Sequence, residues 1–368
     1  MRKVIVLLIA LLLLCGCGMA QPAPETSEPT TETTVIALPD GAADITAAFT
    51  DSRFKAQVYW VIGKKAPEPI LKTDVAEITY LEVMGKNAAS LAGLEYFTNL
   101  ETLYCSGNQL AALPELPPSL KKLDCWDNPL TSLPALPFGL ESLSCGGENL
   151  ATLPGLSSGL TYLNVGGKSL TLLPKLPSGL KELYCRYSEN LTSLPALPDG
   201  LEHLRCERSN LSSLPKLPDS LKTIGCDGNQ LTSLPQLPSA LENLYCGENQ
   251  LTSLPQLPAG LEGLVCSNNQ LASLPQLPAG LKWLKCSNNQ LMSLPPLPAS
   301  LNSLDCSNNL LTGIDVTGLS LYHLYCRYNN MTGHADVLGF TGEWEVEVYD
   351  GEVTVEILYS FAPQNPRP

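Results

Sequence analysis

Residues 241–260 read LENLYCGENQLTSLPQLPAG, with leucine at steps 1, 4, 11, 14 and 17, cysteine at step 6, asparagine at step 9 and proline at steps 15 and 18. The blocks that follow, LEGLVCSNNQLASLPQLPAG from Leu261 and LKWLKCSNNQLMSLPPLPAS from Leu281, keep every one of these positions. Self-similarity at a period of about 20 residues defines a solenoid, in which each unit packs mainly on its two neighbours. One unit cannot bury its leucines alone, so stacking has to supply the stability.

Twelve such units run over residues 100–331, starting at Leu100 and ending with the unit that opens at Leu321. Within LxxLxC the side chains alternate at the period of a strand, so steps 4 and 6 point inward and steps 3 and 5 outward. One strand per unit makes a parallel sheet. The asparagine at step 9, as in Asn108, Asn249 and Asn269, can satisfy backbone groups where the chain turns out of the strand. The LPxLP return has no helical period, and its prolines favour an extended, polyproline-like run.

These letters closely resemble leucine-rich repeats of the short bacterial LPX type, LxxLxCxxNxLxxLPxLP, over residues 100–311. The resemblance implies an α/β-class leucine-rich-repeat solenoid that is mostly β, with a curved parallel sheet on its concave side and an extended convex side. The type is known from secreted bacterial effectors, including ubiquitin ligases. The last unit departs from it: LTGIDVTG from Leu311 lacks LPxLP and is similar to the LTxIDVxGL form of repeats carried by lipoproteins.

The flanks read differently. Residues 49–99 are expected to form an N-terminal cap holding an imperfect first repeat (Ile78, Leu81, Val83, Leu91). Phe54, Val58 and Ile62 recur every four residues, predicting an amphipathic helix over 51–62 that Gly63 ends, and DVAE from Asp74 reads as a short capping box. In residues 332–368, Asp350-Gly351 is a type I′ turn signal. Centring a hairpin on it pairs Val348 with Val353, Val346 with Val355 and Trp344 with Ile357, and sets Glu345 opposite Glu356. This hairpin is expected to cap the last strand edge.

At the start, Arg2 and Lys3 precede an apolar run from Val4 to Leu14 that is too short to span a bilayer. Leu14-Cys15-Gly16-Cys17 resembles the lipobox of bacterial lipoproteins, which implies removal of residues 1–16 and lipidation of Cys17. An ordinary signal peptide is the alternative. Residues 17–48, polar and rich in Pro, Thr, Ser and Glu over 21–34, read as a disordered tether holding the folded part off a membrane, on its extracytoplasmic face. The whole chain carries a formal charge of −14, and losing Arg2 and Lys3 makes it more acidic still, which argues against nucleic acid as a partner.

Eleven cysteines from Cys105 to Cys326 fall in one column, with Val165 filling the single gap. A tetrahedral metal site needs four converging ligands and a column offers two neighbours. In-register strands also keep Cβ atoms near 4.8 Å, beyond the usual disulfide separation of about 3.8 Å. Buried thiols acting as small hydrophobes fit best. No HExxH, GxSxG, phosphate-cradling glycine loop or cofactor-binding motif is present, and His203 and Cys206 sit three apart on opposite faces of a strand, so an enzyme is not expected.

Recognition is therefore expected at outward-facing steps, where aromatics and arginines concentrate. The candidates are Tyr162, Tyr184, Arg186, Tyr187, His203, Arg205, Tyr245, Trp283 and Tyr325. The third to sixth units draw notice because step 9 becomes Glu148, Lys168, Ser188 and Ser209 and one residue is inserted within 186–190. The expected function is binding of another protein or a surface glycan through the concave sheet by a lipid-anchored protein. The alternatives are an effector, for which the 37 residues after Met331 leave little room for a ligase domain, and a stalk or adhesin with no defined ligand.

Overall fold

The computed structural model describes residues 43–332, 334–339, 345–349 and 352–357. The signal, lipidation and tether readings for residues 1–42 lie outside these, as do Trp344, Asp350 and Gly351. Among the described residues no helix is long and apolar enough to cross a membrane.

The chain winds into a parallel solenoid. Strand Tyr80–Glu82 pairs with Thr102–Tyr104, and one strand per turn follows in unbroken order to His323–Tyr325. Register is repeat on repeat: Gly263, Leu264 and Val265 face Asn243, Leu244 and Tyr245 on one side and Trp283, Leu284 and Lys285 on the other. Most strands are three residues long, yet the ladder continues past them. Cys246 N–H donates to the Val265 carbonyl at 2.8 Å and Glu248 N–H to that of Ser267 at 2.9 Å.

The leucines grade outward. Those at steps 1, 4 and 11, such as Leu241, Leu244 and Leu251, are fully buried, whereas Leu254 and Leu257 on the return segment keep a few per cent of their surface. LPxLP forms neither helix nor strand, as its prolines dictate, so the outer wall is one thin extended layer over the leucine core. All eleven cysteines in the column are buried and free, and Val165 pairs in register with Cys145.

Step 8 takes the left-handed conformation in every repeat, with φ of 52–57° wherever the residue is not glycine, as at Tyr187, Arg208, Glu248 and Asn268. That bend carries the chain out of the strand and places step 9 under it. Asn229 there donates from Nδ2 to the carbonyls of Cys206 (2.9 Å) and Cys226 (3.0 Å), and its Oδ1 accepts from Leu211 N–H at 3.0 Å. Eight asparagines repeat this arrangement with small variations, from Asn108 to Asn329.

The ordered N-terminal part starts before the Phe49 boundary. Ile45 is buried, and its N–H donates to the Ile70 carbonyl at 2.8 Å. An apolar residue six ahead of Asp51 thus joins the cap rather than the tether. Helix α1 (Ser52–Val61) is capped by Asp51, whose carboxylate accepts from the N–H groups of Arg53 and Phe54. Phe54, Val58 and Tyr59 form its buried face, with Ile62 just past its end, and Gly63 follows at φ +69°. The capping box expected to begin at Asp74 is displaced. Helix α2 (Lys72–Ala76) starts earlier, and Asp74 lies inside it, accepting from Leu71 N–H at 2.7 Å. Lys64 also binds Asp74, which holds that carboxylate inside the first turn.

At the other end, strands Glu345–Tyr349 and Glu352–Ile357 pair antiparallel with Val348 opposite Val353, Val346 opposite Val355 and Glu345 opposite Glu356, the register that the turn signal predicts. Ile357 and Glu356 in turn pair with Leu324 and Tyr325. A second, two-stranded sheet on the return side joins Ile314–Asp315 to Val337–Leu338, at the repeat whose LPxLP is missing. Without those prolines, backbone N–H groups are free to form a ladder.

Candidate functional site: the concave face

Strand alternation puts three side chains per repeat, at steps 3, 5 and 7, on the concave face, and the central repeats tie theirs into one cluster. Glu207 accepts from Arg186 Nε at 2.9 Å and from Arg205 Nη1 at 3.1 Å, so one carboxylate holds two guanidiniums from adjacent repeats. Each guanidinium lies over a tyrosine: Arg186 Cζ is 5.4 Å from the Tyr184 ring centre and Arg205 Cζ is 5.1 Å from that of Tyr245. Tyr162 packs beside Tyr184 with ring centres 5.5 Å apart, and the Tyr184 hydroxyl donates to Glu182 at 2.8 Å. Burial and that bond push the Tyr184 hydroxyl up to about 12, so it stays a donor.

Glycines leave room for these side chains. The Glu207 carboxylate fills the space where a Cβ on Gly225 would stand. Asp227, one repeat on from Glu207, is pushed up to about 6, chiefly by burial. A bond from Gly247 N–H at 2.8 Å opposes this shift and the nearby Glu207 charge adds to it.

Two tryptophans use the same device. The Trp283 indole occupies the Cβ position of Gly263 in the preceding repeat, and Trp126 reaches over Gly146 and Gly166, the step-7 glycines of the next two repeats. Strands lengthen to five residues at Ser142–Gly146 and Tyr162–Gly166 because Gly146-Gly147 and Gly166-Gly167 let the backbones run closer. There the asparagine ladder stops. Glu148 and Lys168 at step 9 turn to solvent and pair at 3.1 Å, while Ser188 and Ser209 are buried, Ser209 Oγ donating to the Cys185 carbonyl at 3.1 Å.

Five of the nine residues expected from sequence, Tyr162, Tyr184, Arg186, Arg205 and Tyr245, thus meet in one cluster. His203 is half-buried in the step-3 row between Glu182 and Thr223. Trp283 lies two repeats beyond Tyr245. Tyr325 stands near the end of the array, its ring stacked on His323 with centres 6.2 Å apart. Tyr187 departs from the group. It occupies the left-handed step 8, and its exposed ring pairs with Arg208, the step-8 residue of the next repeat. Glu207, Glu182 and Gly225 were missed because carboxylates and glycine are not hot-spot types. The available signal was a carboxylate 21 residues after Arg186 and two after Arg205.

The comparisons agree with this geometry. Residues 99–123 match the Leucine Rich Repeat family. Among solved structures, YopM from Yersinia enterocolitica WA-314 is 36% identical, with a TM-score of 0.56, covering 64% of this chain. The chain spans only 57% of that protein's length. YopM of Yersinia pestis, described as a leucine-rich effector protein, is 32% identical with a TM-score of 0.55, covering 71% of this chain and 86% of its own. The functional domain of InlJ from Listeria monocytogenes, described as including a cysteine ladder, shares the fold at 21% identity and a TM-score of 0.55, covering 79% of this chain and 72% of its own. No curated protein matches the chain. On its repeat register and its likeness to YopM, the chain belongs to the leucine-rich-repeat family.

Proposed function

We propose that this protein is a lipid-anchored, extracytoplasmic leucine-rich-repeat protein of the LPX type that binds a protein partner through its concave face, without catalysis. The observation that carries the binding reading is the Tyr162–Tyr184–Arg186–Glu207–Arg205–Tyr245 cluster. Its rings and guanidiniums are held in place before any partner arrives, so binding would order few side chains. Aromatic and arginine side chains preorganised in this way are what interface hot spots are made of.

The resemblance to YopM, named as an effector, favours a second reading in which the chain acts as a secreted effector. Metabolic labelling with a palmitate analogue separates the two. Label that is lost in Cys17→Ala supports the anchor, and label that persists, or is absent from the wild type, removes it. For the binding reading, cross-linked partner recovery should fall at least tenfold when Tyr184, Arg186 and Arg205 are all replaced by alanine. Unchanged recovery would rule out this surface.

A further inference from the structure

The N-terminal cap leaves an apolar groove uncovered. It has a volume of about 450 Å³ and is lined by Gln57, Trp60 and Val61 of α1 and by Tyr80, Glu82 and Lys86 of the first strand and its turn. Trp60 is 76% exposed and Tyr80 50%, and Met84 beside them is 42% exposed. Three large apolar side chains clustered this openly mark a contact surface. Helix α1 already covers part of the sheet edge, since Gln57 Nε2 donates to the Glu82 carbonyl at 2.8 Å, so the groove suits side chains rather than another strand.

The chain ahead of the cap supplies a matching segment. Residues 21–34 contain no large apolar side chain, and then Val35, Ile36, Ala37 and Leu38 follow in a row before Pro39-Asp40-Gly41. Ala43 is fixed to the cap by Lys72 N–H, which donates to its carbonyl at 3.0 Å, and Ile45 is fixed by Ile70. The same stretch is tied to the end of α1: the Tyr59 hydroxyl donates to the Glu68 carbonyl at 2.7 Å and Lys64 Nζ to that of Pro69 at 3.0 Å. Ala43 therefore lies on the part of the cap that carries Trp60 and Val61. Five residues separate Leu38 from Ala43, a reach of up to about 17 Å.

We propose that residues 35–38 dock in the Trp60–Tyr80 groove of their own chain. Three branched aliphatic side chains cover the exposed ring faces, and the Pro39-Asp40-Gly41 turn returns the chain to Ala43. On the lipid-anchor reading this leaves residues 18–34 as the free span, about 60 Å at full extension.

Hydrogen exchange followed by mass spectrometry on the full chain tests this. Amides of residues 35–38 should exchange at least tenfold more slowly than those of residues 21–33, and the same protection should hold on tenfold dilution. Trp60→Ala, at a site too exposed to disturb the core, and Ile36→Asp should each return residues 35–38 to the rate of residues 21–33 while leaving protection of residues 54–58 unchanged. Equal rates in the wild type, or protection that survives both variants, overturn the proposal. Protection that disappears on dilution also overturns it, because a second copy would then be the occupant.

Discussion

Asn249 donates from Nδ2 to the carbonyl oxygen of Cys226, 2.9 Å away in the preceding repeat, and accepts at Oδ1 from Leu231 N–H at 3.0 Å. One side chain thereby satisfies buried donor and acceptor groups that would otherwise lie unpaired where the strand ends. Asn249→Ala should cost about 1–3 kcal/mol, read as a lower urea midpoint. Asn249→Ser should cost less, because Ser209 already serves the Cys185 carbonyl from that step.

Burial raises the thiols of the cysteine column, pushing Cys125 and Cys266 up to about 12 from an ordinary value of 9.0. The unfolded chain ionises first. Stability is therefore intact below pH 9 and falls as pH rises from 9 toward 12. Melting temperatures at pH 8, 9.5 and 10.5 should drop progressively. Cys266→Val, which copies the natural occupant of the column at Val165, should flatten the decline. At pH 8 the native protein should react with a thiol reagent no faster than it unfolds.

Asp227 gives the opposite end of the pH scale a signature. Raised to about 6 from an ordinary 3.8, it favours the folded state when protonated, and that contribution is lost as pH rises through 6. Asp227→Asn keeps an acceptor for Gly247 N–H and removes the charge beside Glu207. It should be more stable than the wild type by about 1–2 kcal/mol at pH 7 and no more stable at pH 4, as measured by urea unfolding at the two values.

Gly167→Ala should be among the most damaging single-methyl additions. Its φ is +134°, and an added Cβ would run into the Gly147 carbonyl. A loss of about 2–4 kcal/mol is expected, whereas Gly155→Ala on the return segment, with nothing within 4 Å, should be neutral. Chemical denaturation of the two variants side by side checks the contrast.

The solenoid was legible because its information is local and repeated. The strand alternation of LxxLxC, the proline return and the step-9 asparagine each state their role in one repeat, and twelve copies confirm it. The concave cluster was half legible. Tyr184 and Arg205 announce themselves by type, but Glu207 becomes important only when a 21-residue offset is folded into one strand spacing. Trp126 was hidden for the same reason: its indole is longer than the distance between strands, so its place is set by glycines 20 and 40 residues later. The shift of α2 and the entry of Ile45 into the cap depend on contacts with Ile70, Leu71 and Lys64, which the local pattern of residues 43–77 does not encode. The small sheet at Ile314–Asp315 follows from an absence of prolines whose partner strand lies 23 residues on.

The most direct test of the concave-face reading places a photo-cross-linking amino acid at Tyr245, within the cluster, and separately at Gln256, on the exposed return segment of the same repeat. Both variants are irradiated in cells of the native source. Concave-face binding predicts a discrete cross-linked protein from position 245 that is missing from position 256 and is lost when Arg186 and Arg205 are replaced by alanine. Equal products from both positions, or a product from 256 alone, would contradict it.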